Sequence, residues 1–312
     1  MVTSSIAAPP PEAPGAALTR FTYTQYHMGV DARLVVYAPD LATAERACTA
    51  AFARIAALDT IMSDYRRDSE LMRFCARSGG PPVRVSPDLF LVLRRAQEVA
   101  RRSGGAFDVT AGPLIRLWRS ARKNAVLPAP AEIKRTRLRV GWKKLLLDER
   151  ARTVRLTVRD MQLDLGGIAK GYAADGAQRV LQQHGITRAL VELGGDIVVT
   201  GPPPDTNGWT IRVPNAGGDR GPADLRFANR AVSTSGDTEQ STVIGGRRYS
   251  HVVDPRTGQA LTNRVQVTLT ARDGLTSDPL STALGVLGGT DSEKLLRAYP
   301  GTTAHVRVLA AE

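Results

Sequence analysis

Leu163-Asp164-Leu165-Gly166-Gly167-Ile168-Ala169-Lys170-Gly171 is an apolar stretch that runs into paired glycines and then into a helical pattern. Inward positions follow at Ala169, Tyr172, Ala173, Ala177, Val180 and Leu181, and Gly185 stops the helix. Two short apolar strands come next, Ala189 to Leu193 and Ile197 to Thr200, separated by Gly194-Gly195-Asp196. Glycines placed so mark a bulge, a hairpin turn or a close backbone approach, and Asp196 is assigned a structural role there. A strand, a helix and then two strands in succession break the alternation that a doubly wound parallel sheet requires. The fold class expected is therefore α+β, with mixed or antiparallel sheets and packed helices.

Working outward, alternation at Leu34 to Tyr37 reads as a strand after the segment from Phe21 to Tyr26. Cys48, Phe52, Ile55, Leu58 and Met62 recur at helical spacing over about 41 to 62, with Cys48 as a small buried hydrophobe. Ser86 and Pro87 open a helix whose buried stripe is Leu89, Val92, Leu93, Ala96 and Val99, and Ser103-Gly104-Gly105 end it. Further strands are expected at 145–147, 154–158, 209–213, 249–253, 265–269 and 305–309, and a last helix at 278–287. Residues 202–207 and 214–222 read as loops. Residues 1–20, rich in Pro and Ala, form a disordered tail without the basic start and apolar stretch of a signal peptide. Residues 21–312 then form one domain of two close-packed halves.

The chain carries a formal net charge of +12. Between Arg116 and Arg159 there are 14 Lys/Arg against only Glu132, Asp148 and Glu149, so the excess is local. Such a region suits an acidic partner, a phosphate ligand or an anionic membrane surface, as well as a plainly solvated face. Aromatic residues hardly interleave with these cations, which argues against nucleic-acid binding. Two cysteines are too few for a disulfide framework.

Four stretches carry candidate chemistry. The glycine pair before Lys170 suits a phosphate at a helix start, or simply a tight turn with a lysine beside it. Asp108, in Ala106-Phe107-Asp108, suits the amide donors of a planar heterocycle, or caps the next turn. His251 ends a strand before Asp254-Pro255-Arg256-Thr257-Gly258 and is a candidate general base, or a structural histidine. Asp278 and Thr282, four apart, share a helix face that offers hard oxygen donors to Mg²⁺; Asp278 before Pro279 also reads as an N-cap.

Eight segments occur in one order: HMGV at 27–30, MSDYRRDSEL at 62–71, SGGAFDVTAGPLIRLW at 103–118, LDLGGIAKGYAADG at 163–176, LVELGGDI at 190–197, VSTSGD at 232–237, HVVDPRTG at 251–258 and SDPLSTALGVLG at 277–288. Together they resemble the ApbE family of FAD:protein FMN transferases. The resemblance implies an α+β assembly with a cofactor cleft between two halves, and FAD contacts at Met28, Tyr65, Ala106, Phe107, Asp108, Asp164 and Lys170. It implies Mg²⁺ held by the Gly167 carbonyl, Asp278 and Thr282, with His251 assisting the attacking hydroxyl. The partner implied is an acceptor protein, a subunit of an electron-transfer complex that carries a Thr/Ser flavinylation site. Family members commonly work outside the cytoplasmic membrane, so periplasmic or membrane-associated placement stands beside the cytoplasmic one. Alternatives are a Mg²⁺-dependent FAD pyrophosphatase giving FMN and AMP, or a non-catalytic FAD-binding protein. Three positions depart from the family pattern: Val30 after Met-Gly, Thr238 after the TSG segment, and Pro279 beside the metal aspartate.

Overall fold

The computed structural model describes residues 17–214, 222–236 and 241–309. Thr238, most of the tail and most of the 214–222 loop lie outside the described residues. Among the described residues, seven strands make one sheet whose spatial order is also the chain order. They are β1 (Thr19–His27), β2 (Val30–Ala38), β3 (Ala189–Leu193), β4 (Asp196–Val199), β5 (Arg230–Gly236), β6 (Arg264–Ala271) and β7 (Thr303–Leu309). Every neighbouring pair is antiparallel. The antiparallel α+β expectation is met, and β1 takes in Thr19 and Arg20 from the segment assigned to the tail.

Two-residue turns explain the tight joins. His27 pairs with Val30 around Met28 and Gly29, with φ of 52° and 80°. Leu193 pairs with Asp196 around Gly194 and Gly195, with φ of 54° and 92°. Two successive positive φ values give the turn whose twist matches that of antiparallel strands. The Gly194-Gly195 pair is thus a hairpin turn. A Cβ at Gly194 would stand 2.7 Å from Val30 Cγ1, so the two turns lie side by side at one end of the sheet. That is where the valine replacing the usual threonine packs.

Eight helices are described: α1 (Leu41–Met62), α2 (Glu70–Cys75), α3 (Pro87–Arg102), α4 (Gly112–Asn124), α5 (Pro130–Arg137), α6 (Ala169–Gln183), α7 (Gly274–Leu287) and α8 (Gly289–Arg297). On one face of the sheet α1 packs on α6, α6 on α7, and α7 on β5 and β6. Ile55 and Leu58 of α1 and Leu181 of α6 are fully buried there, each contributing about 1.5–3 kcal/mol by leaving water. The opposite face buries Val35, Leu190 and Val232 under the hairpin Trp209–Val213 with Ala223–Phe227. A third cluster joins Leu114, Trp118 and Ala121 of α4 to Ile133, Val253 and Ala260.

Three expectations need correction. The segment before the glycine pair forms no strand and lies in no ladder. Instead the Leu163 N–H donates to Cys75 Sγ at 3.3 Å and the Asp164 N–H to the Val109 carbonyl at 2.9 Å. The expected strand 249–253 is broken into Arg247–Ser250 and Val253–Asp254, because the Val252 N–H turns back to Ser250 Oγ at 3.0 Å. The helix expected from Asp278 begins one turn earlier, at Gly274. Its first N–H groups are capped from outside by Asp175 of α6, which accepts from Gly274 and Leu275 at 2.8 Å each. Asp278 is therefore no N-cap, and Pro279 sits inside the helix.

Candidate active site

The starts of α6 and α7 cross at a pair of glycines. A Cβ on Gly171 would lie 2.2 Å from the Gly274 carbonyl oxygen and 2.7 Å from Asp278 Cβ, and a Cβ on Gly274 would meet the Gly171 carbonyl at 2.2 Å. Only residues without side chains allow this approach. The crossing is reciprocal. Four residues after Gly171, Asp175 accepts from the Gly274 N–H; four residues after Gly274, Asp278 accepts from the Gly171 N–H at 3.0 Å. One helical turn thus separates each glycine from the carboxylate it presents to the other helix.

Around this crossing the structure assembles most of the residues singled out in the sequence. Lys170 Nζ lies 2.6 Å from Asp196 Oδ2. Burial opposes the ammonium charge, but Asp196 and Asp278 outweigh it and hold the Lys170 pKa above its ordinary value. Burial, then Asp196, push Asp278 up to about 7, against the pull of Lys170 and the Gly171 N–H. Asp196, assigned only a structural role, thus stands in the charged cluster. A Cβ on Gly167 would meet Thr282 Oγ1 at 3.0 Å and Phe107 Cε2 at 3.4 Å, so Gly167, Thr282 and Phe107 form one contact. Ala106 and Asp108 are buried beside Phe107. Asp108 does cap the next turn, accepting from the Thr110 N–H at 2.8 Å and hydroxyl at 2.7 Å, and burial raises its pKa.

A second group adjoins through the glycine loop. Asp164 Oδ1 accepts from the Gly166 N–H at 2.9 Å, while its Oδ2 accepts from Arg119 of α4 at 2.8 Å. Arg119 also donates to Asp64 at 2.6 Å, and Tyr65 is 79% exposed beside it. Burial, then Asp64, raise the Asp164 pKa, and Arg119 pulls it back. Met28 lies at the sheet rim, in the turn next to Gly194. His251 is half-buried in the gap between two short strands. The preceding Ser250 carbonyl lies 3.4 Å from Arg122 Nη1, one turn along α4 from Arg119, which puts the His251 segment on the Arg119 side of the site.

Arg119, Asp64, Asp175 and Asp196 are the site residues that sequence reading passed over or misassigned. Asp175 stood in a quoted motif, four residues beyond Gly171, and that spacing was its only signal. The metal set, by contrast, fits on donor chemistry. Thr282 presents a hydroxyl beside Gly167 and Asp278 a carboxylate one turn back along α7, and a carboxyl pushed up to about 7 in a buried site accommodates added positive charge. Among the described residues no three His, Cys, Asp or Glu side chains gather as a cage. Magnesium commonly takes only one or two carboxylates and leaves the rest to phosphate and water.

Residues 28–306 match the sequence profile of the ApbE family. The chain belongs to that family. An FAD:protein FMN transferase of Vibrio cholerae is 35% identical over 233 residues, spanning 73% of this chain and 69% of that relative. One of Treponema pallidum is 32% identical over 306 residues, spanning 93% and 84%. The apo flavinyl transferase ApbE of Pseudomonas stutzeri superposes with a TM-score of 0.83 at 29% identity, covering 94% of this chain and 92% of that one. The flavin transferase ApbE of Vibrio cholerae gives 0.82 at 29% identity, covering 95% and 98%. The fold of this chain thus matches that of ApbE flavin transferases over nearly its whole length.

Proposed function

We propose that this chain transfers the FMN half of FAD to a threonine or serine hydroxyl of an acceptor protein, with magnesium, and releases AMP. The names of its relatives support the transfer, and one observation carries the site: Lys170, Asp196, Asp278, Gly167 and Thr282 converge where two helix starts cross. The glycine loop and Lys170 at the start of α6 suit a diphosphate, whereas the first N–H groups of α7 are already taken by Asp175. Asp278, Thr282 and the Gly167 carbonyl would hold the magnesium ion, which when bound would neutralise charge on phosphate oxygens.

In this reading the acceptor hydroxyl oxygen attacks the FMN phosphorus and forms the new P–O bond. The bond from that phosphorus to the bridging oxygen breaks, and AMP leaves with that oxygen. His251 takes the hydroxyl proton. Lys170 offsets charge on the phosphates, and the catalytic gain comes mostly from positioning and electrostatics. Met28 and Tyr65 pack on the flavin, Ala106, Phe107 and Asp108 line the cofactor, and Asp164 orients the glycine loop through Gly166. The acceptor is an electron-transfer subunit, and the basic 116–159 region is available to an acidic partner or a membrane surface. Part of that charge is already used internally, since Lys144 donates to the Leu138 and Val140 carbonyls and Arg155 to the Gly80 carbonyl.

The test is incubation with FAD and a threonine-bearing acceptor domain, with and without Mg²⁺. Covalent flavin on the acceptor together with AMP, both lost on chelation, is the expected result. AMP and free FMN released without labelling would make it a pyrophosphatase, and FAD binding without AMP would make it a carrier.

A further inference from the structure

Arg119 joins three stretches that are far apart in the chain. Its Nη1 donates to Asp64 Oδ2 at 2.6 Å and its Nη2 to Asp164 Oδ2 at 2.8 Å. Its guanidinium carbon stands 4.8 Å from the centroid of the Tyr65 ring. The two carboxylates are nearly buried, with side-chain exposures of 10% and 8%, while Tyr65 is 79% exposed. An exposed tyrosine would ordinarily sample several rotamers. Here a flat cation lies against its ring and is itself fixed by two charge-assisted hydrogen bonds, so ring and guanidinium make a platform with its open side toward solvent. Asp164 in turn accepts from the Gly166 N–H, which ties the platform to the loop before Lys170. A lysine could neutralise the carboxylates, but it lacks the planar fork that reaches both and stacks on the ring.

We infer that Arg119 is a positioning residue for the planar flavin end of FAD, setting the Tyr65 ring as a stacking platform at a fixed place relative to the glycine loop. The inference rests on the FAD reading above. It assigns Arg119 no contact with the reacting phosphorus, so its effect falls on flavin binding and leaves turnover at saturation largely intact.

The experiment titrates the full chain with FAD by quenching of flavin fluorescence, then measures KM for FAD, kcat for acceptor labelling, and inhibition by AMP. Arg119→Met should weaken FAD binding by about tenfold, with kcat within about twofold and AMP affinity unchanged. Arg119→Lys should fall between. Tyr65→Ala is a change at an exposed position that leaves the core intact, and it should reproduce most of the loss. If Arg119 acts through the ring, the double variant loses less than the product of the two single losses. Unchanged FAD affinity in Arg119→Met, an equal loss of AMP affinity, or strictly multiplicative losses would each overturn the inference. Parent protein that takes up no FAD would sink the functional reading, and the inference with it.

Discussion

The α6–α7 crossing and the Arg119 bridge both hold carboxylates at the site, by opposite means. At the crossing, Asp175 and Asp278 accept from backbone N–H groups, and the helices meet through glycine backbones with no room for one added carbon. At the bridge, Asp64 and Asp164 meet a long side chain whose own exposure is 31%. The first arrangement is fixed by the fold, and the second is fixed by one residue. Geometry that must not change is therefore written in backbone, and geometry that can be tuned is written in side chains.

The sharpest way to break that contrast is Asp278→Ala. It removes the acceptor for the Gly171 N–H and a candidate magnesium ligand together, so acceptor labelling should fall by at least about a hundredfold while FAD quenching persists. Retained labelling would show that the crossing holds no chemistry. Gly171→Ala comes next. Its Cβ would meet the Gly274 carbonyl at 2.2 Å and Asp278 Cβ at 2.7 Å, and thermal or denaturant melting should show a loss of about 3 kcal/mol, the upper range for overpacking. A loss within error would mean that the helices can separate freely.

Asp175 offers a test by pH in metal-free protein. Burial, then the offsetting N–H groups of Gly274 and Leu275, leave its carboxyl raised to about 7. A folded pKa above the unfolded one means the folded state binds the proton more tightly. Its stabilising contribution is complete below about pH 4 and is lost as pH rises toward 7. Urea melts between pH 5 and 7 should therefore show stability falling with pH. Asp175→Asn should flatten that slope by roughly 1 kcal/mol per pH unit. An identical slope in the variant would remove Asp175 as its source. The smallest effect belongs to the bridge: Asp64→Asn should cost at most about 1 kcal/mol in the same melts, because the amide keeps an oxygen that accepts from Arg119, and Arg119 keeps Asp164. A larger cost would put the bridge in the same class as the crossing.

Much of this was legible in residue order. The Cys48 to Met62 stripe marks α1, Ser86-Pro87 marks the start of α3, and the glycine pairs at 166–167 and 194–195 mark the turns that carry Lys170 and Asp196. Periodicity serves well where one element faces one core. It serves poorly for β5, whose Ser233 and Thr234 are polar but reach Ser277 and Thr268 across the sheet and helix layers, at 2.7 and 3.0 Å. α4 did carry a signal, since Leu114, Trp118 and Ala121 recur at four and three, but it opens on Gly112-Pro113 with no side-chain cap to mark its start. α5 and α8 bury too few apolar residues to show a stripe. For the site, motif order supplied the residue set, while the partnerships came only from tertiary structure. No spacing pairs Arg119 with Asp64 and Asp164, or Asp175 with Gly274.

The sheet's chain-order topology has a consequence for biosynthesis. β2 finds its second neighbour only in β3, from Ala32 with Leu193 to Val36 with Ala189, across the whole run of α1 to α6. While that run emerges from the ribosome, the first hairpin waits with one edge unpaired, the state in which strands recruit the wrong partner. Closing so long a loop late favours slow folding over local collapse. The glycine turn at 194–195 then sets Asp196 beside Lys170, and the charged cluster is complete only when α7 brings Asp278 to it.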